Sequence, residues 1–204
     1  MSNVNGKPKG ILLIQGHPDP APHHFCHALA AAYEAGAVQA GHDVERLNIA
    51  SLQFPFVRSR ADLEDGSMPE SIRQAQASLL RADHIVLCFP IWNGGMPAID
   101  RAFFEQTFRS SFIFPDAKPG EKLGFTSYFK QRKALAGKTA RTVVTMAMPA
   151  FVYRWYFHPH LEKNSLKLGG LTVRESLVGG ADAKNAGTRE QWLRKMTALG
   201  RDAK

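Results

Sequence analysis

The sequence predicts an α/β protein built as a three-layer α/β/α sandwich around one parallel sheet of five strands, in the order 2-1-3-4-5. Two observations lead to this class: short apolar runs recur along the chain, and amphipathic helical patterns lie between them. Strict alternation of the two favours a sheet covered by helices on both faces. The length fits one domain over residues 1–204, with residues 1–9 expected to be disordered.

The predicted strands are short and mostly apolar. The first, 10–15 (GILLIQ), and the third, 84–89 (HIVLCF), are continuous apolar runs, which suits central strands buried on both faces. The second, 42–49, alternates polar and apolar residues and suits an outer strand. The fourth and fifth are predicted at 142–148 and 171–178, the last being more polar and therefore nearer an edge.

The intervening helices are predicted from apolar residues at helical spacing. The first helix carries one apolar stripe, formed by Phe25, Leu29, Ala32, Tyr33 and Gly36. Pro97 suits the first turn of the helix after the third strand. Thr188 and Gln191 are spaced as a capping box, which predicts that the last helix starts there.

The loops that follow the strands indicate where a ligand would bind. In a parallel sheet of this order, ligands bind beyond the carboxyl ends of the strands, where the order reverses between strands 1 and 3. The informative loops are therefore 16–25, 90–96 and 147–153. The longer connections 51–66 and 110–137 exceed the usual loop length, so we expect them to carry function or a subunit contact.

The charge of the chain is basic and unevenly distributed. Its formal net charge is +8, and segment 116–141 holds seven Lys or Arg residues against two acids. The spaced aromatic and arginine residues typical of base recognition are missing, so we expect no nucleic-acid partner. A solvated basic loop is the simplest interpretation of the segment, with steering of cofactor phosphates or docking of a partner protein as alternatives.

Targeting and cysteine content point to one compartment. No stretch has the length and apolar character of a signal peptide or a membrane span. Two cysteines, Cys26 and Cys88, make a poor disulfide framework for a chain of this size. We therefore expect a cytoplasmic protein without membrane insertion.

The stretch 16–30 (GHPDPAPHHFCHALA) holds four of the eight histidines and admits a metal-binding interpretation. Its possible ligands are His23, His24, Cys26 and His27. On a helix these side chains point in several directions, and no matching pair occurs elsewhere in the sequence. We therefore expect no metal site.

An anion cradle is the alternative interpretation of this stretch. The loop leaves a buried strand and enters a helix N-terminus, where unpaired amides and the helix dipole favour an anion. Three prolines stiffen the backbone, and the imidazoles of His17 and His24 would add donors. The loop is neither a Walker loop nor a GxGxxG turn, since it has one glycine and no hydroxyl side chain.

The same residues carry a resemblance to a known family. HPDP followed by F-x-H-A-L-A resembles the first loop of the NAD(P)H:quinone oxidoreductases, which are flavodoxin-like flavoproteins. Residues 89–108 (FPIWNGGMPAIDRAFFEQTF) are similar to the family pattern FPLxWxGxPAxLKxxxExVF. Residues 41–66 resemble its second strand and following loop, and 145–160 (TMAMPAFVYRWYFHPH) resemble the loop after strand 4 in a bacterial branch. The resemblance implies a flavodoxin-like fold and an NAD(P)H dehydrogenase (quinone)-like enzyme.

The resemblance also implies site residues in the three loops. The implied cofactor-binding residues are His17, His24, Phe25 and Cys26 at the flavin phosphate end, Pro90, Ile91, Trp92, Asn93 and Gly94 along one ring edge, and Met146, Ala147 and Met148 at the pyrimidine edge. Backbone amides of residues 91–94 would contact ring atoms. Tyr153 and His160 correspond to the family's active-site pair, with His158 as the alternative to His160.

The family's chemistry then defines the expected partners. Hydride would pass from NADH or NADPH to a bound FAD, with FMN as the alternative, and a quinone or similar aromatic acceptor would then take two electrons in a ping-pong cycle. A homodimer is implied, with the aromatic segment 151–157 at its interface. Two other functions stay open: an ancillary subunit of a potassium efflux system, and a flavin-free member. The latter rests on Cys26, Asn93 and Ala147, which depart from the family pattern.

Overall fold

The computed structural model describes residues 7–64, 68–117, 131–157, 160–181 and 185–204. Strands and helices alternate along these residues as predicted. The strands are β1 (Gly10–Gln15), β2 (Asp43–Asn48), β3 (His84–Pro90), β4 (Thr139–Thr145) and β5 (Thr172–Val178). The helices are α1 (Phe25–Gln39), α2 (Arg60–Glu64), α3 (Glu70–Arg81), α4 (Ala98–Thr107), α5 (Ser110–Ile113), α6 (Ala150–Val152), α7 (His160–Leu168) and α8 (Ala186–Arg201). A 3-10 turn, Ile49–Ser51, follows β2, and a π-helical turn, Tyr153–Phe157, continues α6.

The five strands form one parallel sheet in the order β2-β1-β3-β4-β5, which confirms the predicted topology. β1 pairs with β2 from Gly10 opposite Asp43, and with β3 from Ile11 opposite His84. Every residue of β3 is buried, as its apolar run predicted, whereas no residue of the edge strand β2 is buried. The order reverses between β1 and β3, so the carboxyl ends of these two strands form the predicted ligand edge.

The fourth strand begins and ends three residues earlier than predicted, at Thr139–Thr145 instead of 142–148. The start of this strand was not predicted because it includes Arg141, and a charged residue is not expected in a buried strand. Its guanidinium is nevertheless buried, with Nη1 donating to Ser176 Oγ at 2.8 Å and Nε donating to the Lys204 carbonyl oxygen at 2.5 Å. The polar group is thus buried with its hydrogen bonds made.

Helices cover both faces of the sheet. On one face, α1 and α8 pack over β-strand residues that include Leu13 and Val86. On the other face, α3, α4 and α5 pack over a core that includes Leu12 and Ile85. Alternate residues of each central strand therefore supply two separate hydrophobic cores, as expected for strands buried on both sides.

The last helix starts earlier than its predicted capping box. Asn185, not Thr188, is the N-cap of α8, and its Oδ1 accepts the Thr188 amide at 2.9 Å. The hydroxyl at Thr188 therefore lies within the first turn. Asparagine is at least as good an N-cap as threonine, so Asn185 and Thr188 were both possible N-cap residues.

Several sequence predictions fall partly on residues that are not described, among them 1–6 of the expected tail and 118–130 of the basic segment. At the ends of that segment, Arg132 pairs with Asp116 at 2.9 and 3.0 Å, and Arg141 is buried in β4. Part of the positive charge is therefore already paired or buried. In the described ranges, no helix combines the length and the apolar character that crossing a bilayer requires.

Candidate active site

Three loops meet at the carboxyl edge of the sheet. The Gly16 amide donates to the Cys88 carbonyl oxygen at 2.7 Å, which joins the end of β1 to β3. The Ile91 amide donates to the Thr145 carbonyl oxygen at 2.8 Å, which joins the second loop to the end of β4. The predicted ligand loops after β1, β3 and β4 are therefore neighbours.

The first loop delivers an uncapped helix N-terminus to this edge. His24 is the N-cap of α1, and its side chain makes no capping hydrogen bond. In the described part of the chain, the amides of Phe25 and Cys26 have no hydrogen-bond partner, and the first turn holds no acidic residue. Unpartnered amides at the positive end of a fifteen-residue helix are donors for an anion.

The Cys26 side chain points away from the loop. Its Sγ donates to Gln15 Oε1 at 3.4 Å in the core beneath α1, and burial raises the pKa of the thiol well above its usual value. Cys26 therefore offers its backbone amide at the loop, and the identity of its side chain changes little there. This weakens one of the three departures on which the flavin-free alternative rests.

Four histidines of the first loop gather around Asp19. His24 Nε2 lies 2.7 Å from Asp19 Oδ2, and His27 Nε2 lies 2.9 Å from the Asp19 carbonyl oxygen. The His17 ring stacks on the His24 ring with centroids 3.9 Å apart. The centroids of the His23 and His24 rings are 4.1 Å apart. Of the four side chains expected to point in different directions, Cys26 does so, whereas His23, His24 and His27 converge with His17. The histidines converge around Asp19, which was not among the predicted ligands.

His17 and Asp19 are held in defined protonation states. Burial lowers the pKa of His17, so its ring is neutral at pH 7. Hydrogen bonds from the Ala21 amide and from His24 lower the pKa of the Asp19 carboxyl, which is therefore an anion. His17 Nδ1 lies 3.1 Å from the Asp19 amide nitrogen and 2.9 Å from its carbonyl oxygen, so the ring also fixes the Asp19 backbone.

The second loop is a tight turn that starts after the buried Pro90. Trp92 and Gly95 exchange two backbone hydrogen bonds, at 2.9 and 3.1 Å, around Asn93 and Gly94. Both central residues have positive φ, 48° and 80°, which asparagine and glycine tolerate best. The asparagine at position 93 is thus explained by the turn itself.

This turn determines which amides a ligand could contact. The Ile91 and Trp92 amides already donate within the protein, although the family resemblance implied them as ligand donors. Within the described ranges, the amides of Asn93 and Gly94 make no hydrogen bond. The Trp92 indole is 51 % exposed and meets the His17 ring edge-on with centroids 6.2 Å apart, so the first and second loops share one surface.

The third loop, Met146 to Met148, is anchored by β5. The Met146 amide donates to the Val178 carbonyl oxygen at 3.1 Å, and the Met148 carbonyl oxygen accepts the Gly180 amide at 2.9 Å. Of the described residues, Ala147 and Met148 keep amides without a partner. A Cβ on Gly179 would lie 2.9 Å from the Met148 carbonyl oxygen, so glycine is needed for this close approach.

The expected active-site pair lies just beyond this loop. The Tyr153 ring is only 2 % exposed and packs in the core shared with α3 and α4, whereas Trp155 and Tyr156 are exposed. His160 is the first residue of α7. The alternative active-site histidine, His158, lies outside the described residues. The geometry thus gives Tyr153 a buried setting and offers Tyr156 as the exposed phenol of this segment.

Asp100, a buried carboxyl beneath the first loop, was not predicted as a site residue from the sequence. It lies in the first turn of α4, is fully buried, and neither carboxyl oxygen has a hydrogen-bond partner among the described residues. A Cβ on Gly16 would lie 2.6 Å from Asp100 Oδ2, so the carboxyl sits directly against the end of β1. Burial raises the pKa of Asp100 to about 8. The only signal in the sequence was an acid at the leucine position of the family pattern.

Comparison with known proteins agrees with this architecture. An uncharacterized NAD(P)H oxidoreductase of Haemophilus influenzae is 28 % identical over 116 residues, which is 55 % of this chain and 56 % of the relative. The match thus spans about half the length of that relative.

Solved structures extend the likeness in fold over nearly the whole chain. An NAD(P)H:quinone oxidoreductase from Methanothermobacter marburgensis superposes with a TM-score of 0.73 at 17 % identity, covering 96 % of both chains. An FMN-dependent NADH-azoreductase from Bacillus anthracis, solved in complex with FMN, gives 0.65 at 12 % identity, covering 94 % of this chain and 97 % of the other. The flavodoxin-like fold profile matches residues 9–199. The chain therefore belongs to the flavodoxin-like fold family, as its resemblance to the NAD(P)H:quinone oxidoreductases predicted.

Proposed function

We propose that this protein is a flavin-dependent NAD(P)H oxidoreductase that passes two electrons to a quinone or a similar aromatic acceptor. One observation carries the proposal: the uncapped N-terminus of α1 lies at the edge where the sheet order reverses, beside two loops that also keep amides without a partner among the described residues. A cofactor with an anionic end and a flat polar ring matches such a row of donors. The name of the Haemophilus relative favours the same chemistry.

The phosphate end of the cofactor would be held by the first loop. The amides of Phe25 and Cys26 would supply two donors at the positive end of α1, and the stacked imidazoles of His17 and the N-cap residue His24 belong to the same loop. The three prolines hold this loop in place before a ligand arrives, which lowers the entropic cost of binding.

The ring would be held by the second and third loops. The amides of Asn93 and Gly94 are donors for one ring edge, and those of Ala147 and Met148 are donors for the pyrimidine edge. The half-exposed Trp92 indole offers an aromatic surface on which a flat ring can pack. The second and third loops thus offer amide donors and an aromatic surface to a flavin ring. Neither loop holds an Asp or Glu side chain that would repel its electron-rich edge.

A bound flavin would supply two-electron chemistry between NAD(P)H and the acceptor, in the ping-pong cycle that we propose. The chain's own residues bind and orient the reactants. Tyr153 and His160 are the proposed polar pair beside the ring, with Tyr156 as a second candidate for the phenol. FMN is the first choice over FAD, because the FMN-bound Bacillus neighbour has the same fold. The exposed aromatic side chains of Phe151, Trp155 and Tyr156 favour a homodimer interface.

The test is an absorption spectrum of the purified protein after mixing with FMN or FAD and desalting, followed by anaerobic addition of NADPH or NADH. Retained flavin bands that bleach with one of the nucleotides and return with a quinone are the expected result. A protein that stays colourless with both flavins would contradict the proposal and favour the flavin-free alternative. Bands that bleach but do not return with a quinone would remove the quinone as acceptor.

Replacing His17 and His24 together by alanine is expected to weaken flavin binding about thirtyfold, since two hydrogen bonds of about 1 kcal/mol each are lost. Fluorescence titration of apoprotein with FMN measures the change. The matched control is His23→Ala, a histidine of the same loop that is not assigned to the cofactor, and its affinity for FMN should be unchanged. Equal affinities for the double variant and the wild type would remove His17 and His24 from the site.

A further inference from the structure

The first loop brings a carboxylate and two imidazoles close enough to bind a metal ion. One ligand atom each from Asp19, His23 and His24 lies within 4.8 Å of the other two. A tetrahedral zinc ion places its ligand atoms about 3.3 Å apart, given bonds of about 2.0–2.1 Å to nitrogen and oxygen. His24 Nε2 and Asp19 Oδ2 are now 2.7 Å apart, so small side-chain rotations bring the set to coordination distance.

The backbone that carries these ligands is already fixed. Asp19 stands between Pro18 and Pro20, and the rings of His17 and His27 contact its backbone atoms at 2.9–3.1 Å. Asp19 Oδ1 accepts the Ala21 amide at 2.9 Å, which leaves Oδ2 turned toward the imidazoles. Little conformational freedom remains to be lost when an ion binds.

The ligand chemistry points to one class of ion. Two imidazole nitrogens and one carboxylate oxygen suit a borderline divalent cation such as Zn²⁺, whereas Mg²⁺ and Ca²⁺ prefer all-oxygen sites. His23 is exposed, and its ring makes no hydrogen bond in the described part of the chain, so its nitrogens are available.

We propose that Asp19, His23 and His24 form a binding site for a divalent transition-metal ion of the Zn²⁺ class, with the fourth coordination position open to water or an anion. Three protein ligands with one open position distinguish this arrangement from a closed structural zinc site. Only His24 is shared with the proposed phosphate cradle. Asp19 and His23 belong to the metal site alone, so the two proposals can be tested separately.

The test is a Zn²⁺ titration of flavin-free protein without an affinity tag, stripped with a chelator and measured by isothermal calorimetry. We expect one Zn²⁺ per chain, with affinity at least about tenfold weaker in His23→Ala and in Asp19→Asn. Asparagine keeps the oxygen that accepts the Ala21 amide, so the loop should remain intact, which an unchanged melting temperature without metal verifies. Visible absorption of bound Co²⁺, reduced in the same two variants, is the second readout.

His27→Gln is the matched control. Its side-chain amide can still donate to the Asp19 carbonyl oxygen, so its affinity for Zn²⁺ should stay within about threefold of wild type. Equal affinities in wild type and His23→Ala would overturn the proposal, and so would a loss in His27→Gln as large as that in His23→Ala. FMN titration of His23→Ala separates the two proposals, because loss of Zn²⁺ binding with unchanged FMN binding is expected only if both sites are assigned correctly.

Discussion

Replacing Gly200 by alanine is expected to lower the free energy of unfolding by about 3 kcal/mol and the melting temperature by roughly 6–12 °C. Gly200 lies in α8 against the backbone of α1. A Cβ there would overlap the Tyr33 carbonyl oxygen and lie 2.9 Å from the Tyr33 carbonyl carbon and 3.0 Å from the Ala37 nitrogen. These atoms belong to helix backbone, so the clash is relieved only by moving one helix away from the other.

Gly36 makes the reciprocal contact from α1. A Cβ on Gly36 would overlap the Thr197 carbonyl oxygen of α8 and lie 2.7 Å from its carbonyl carbon. Gly36→Ala should therefore have an effect of similar size. The double variant should lose less than the sum of the two, because helices separated by one Cβ already have room for the second.

Urea denaturation followed by far-UV circular dichroism measures these differences. The matched control is Gly187→Ala in the first turn of α8, where a Cβ would meet only Asn185 Oδ1 at 3.7 Å. It should be neutral or stabilising by up to about 1 kcal/mol, since alanine is the better helix former. A change below about 1 kcal/mol in Gly200→Ala would contradict the close packing of α1 against α8.

One of the two glycines in this helix contact could be predicted from the apolar periodicity of α1. Gly36 belongs to the apolar stripe predicted on α1, and it is buried as predicted. Its partner helix could not be predicted, because the pairing of α1 with α8 joins the two ends of the chain. The sheet order was predictable for the opposite reason: alternating strands and helices leave few topologies.

The site was predictable as three loops but not in its hydrogen bonding. The apolar run of β1 and the loop after it predicted where the proposed anion cradle lies, whereas the internal use of the Ile91 and Trp92 amides depends on contacts with β4 and Gly95. Arg141 shows the same limit, since its burial is compensated by Ser176 and the C-terminal carbonyl group. Sequence patterns report burial well when it is apolar, and buried polar groups escape them.

Of the buried polar groups that the sequence did not reveal, Asp100 is expected to have the largest effect on stability. Its titration should make the protein less stable as the pH rises. The pKa of the carboxyl is about 8 in the folded protein and near 3.8 when unfolded, because burial disfavours the anion. Between these values the folded state binds more protons, so stability falls with increasing pH. Relative to an Asp100→Asn variant, the wild type should lose roughly 3 kcal/mol between pH 5 and pH 8.

The measurement is the free energy of unfolding in urea at pH 5, 6, 7 and 8 for wild type and Asp100→Asn, with Asp100→Leu as the variant that restores the family pattern. The control is Asp62→Asn. Hydrogen bonds from Arg58 and Ser59 lower the pKa of the Asp62 carboxyl, so its contribution to stability should not change between pH 5 and pH 8. A constant difference between wild type and Asp100→Asn over this range would mean that Asp100 is already an anion at pH 5. In that case the carboxylate would need a partner beneath the first loop. The close approach between Gly16 and the Asp100 carboxyl, which leaves no room for a Cβ at Gly16, would then be wrong.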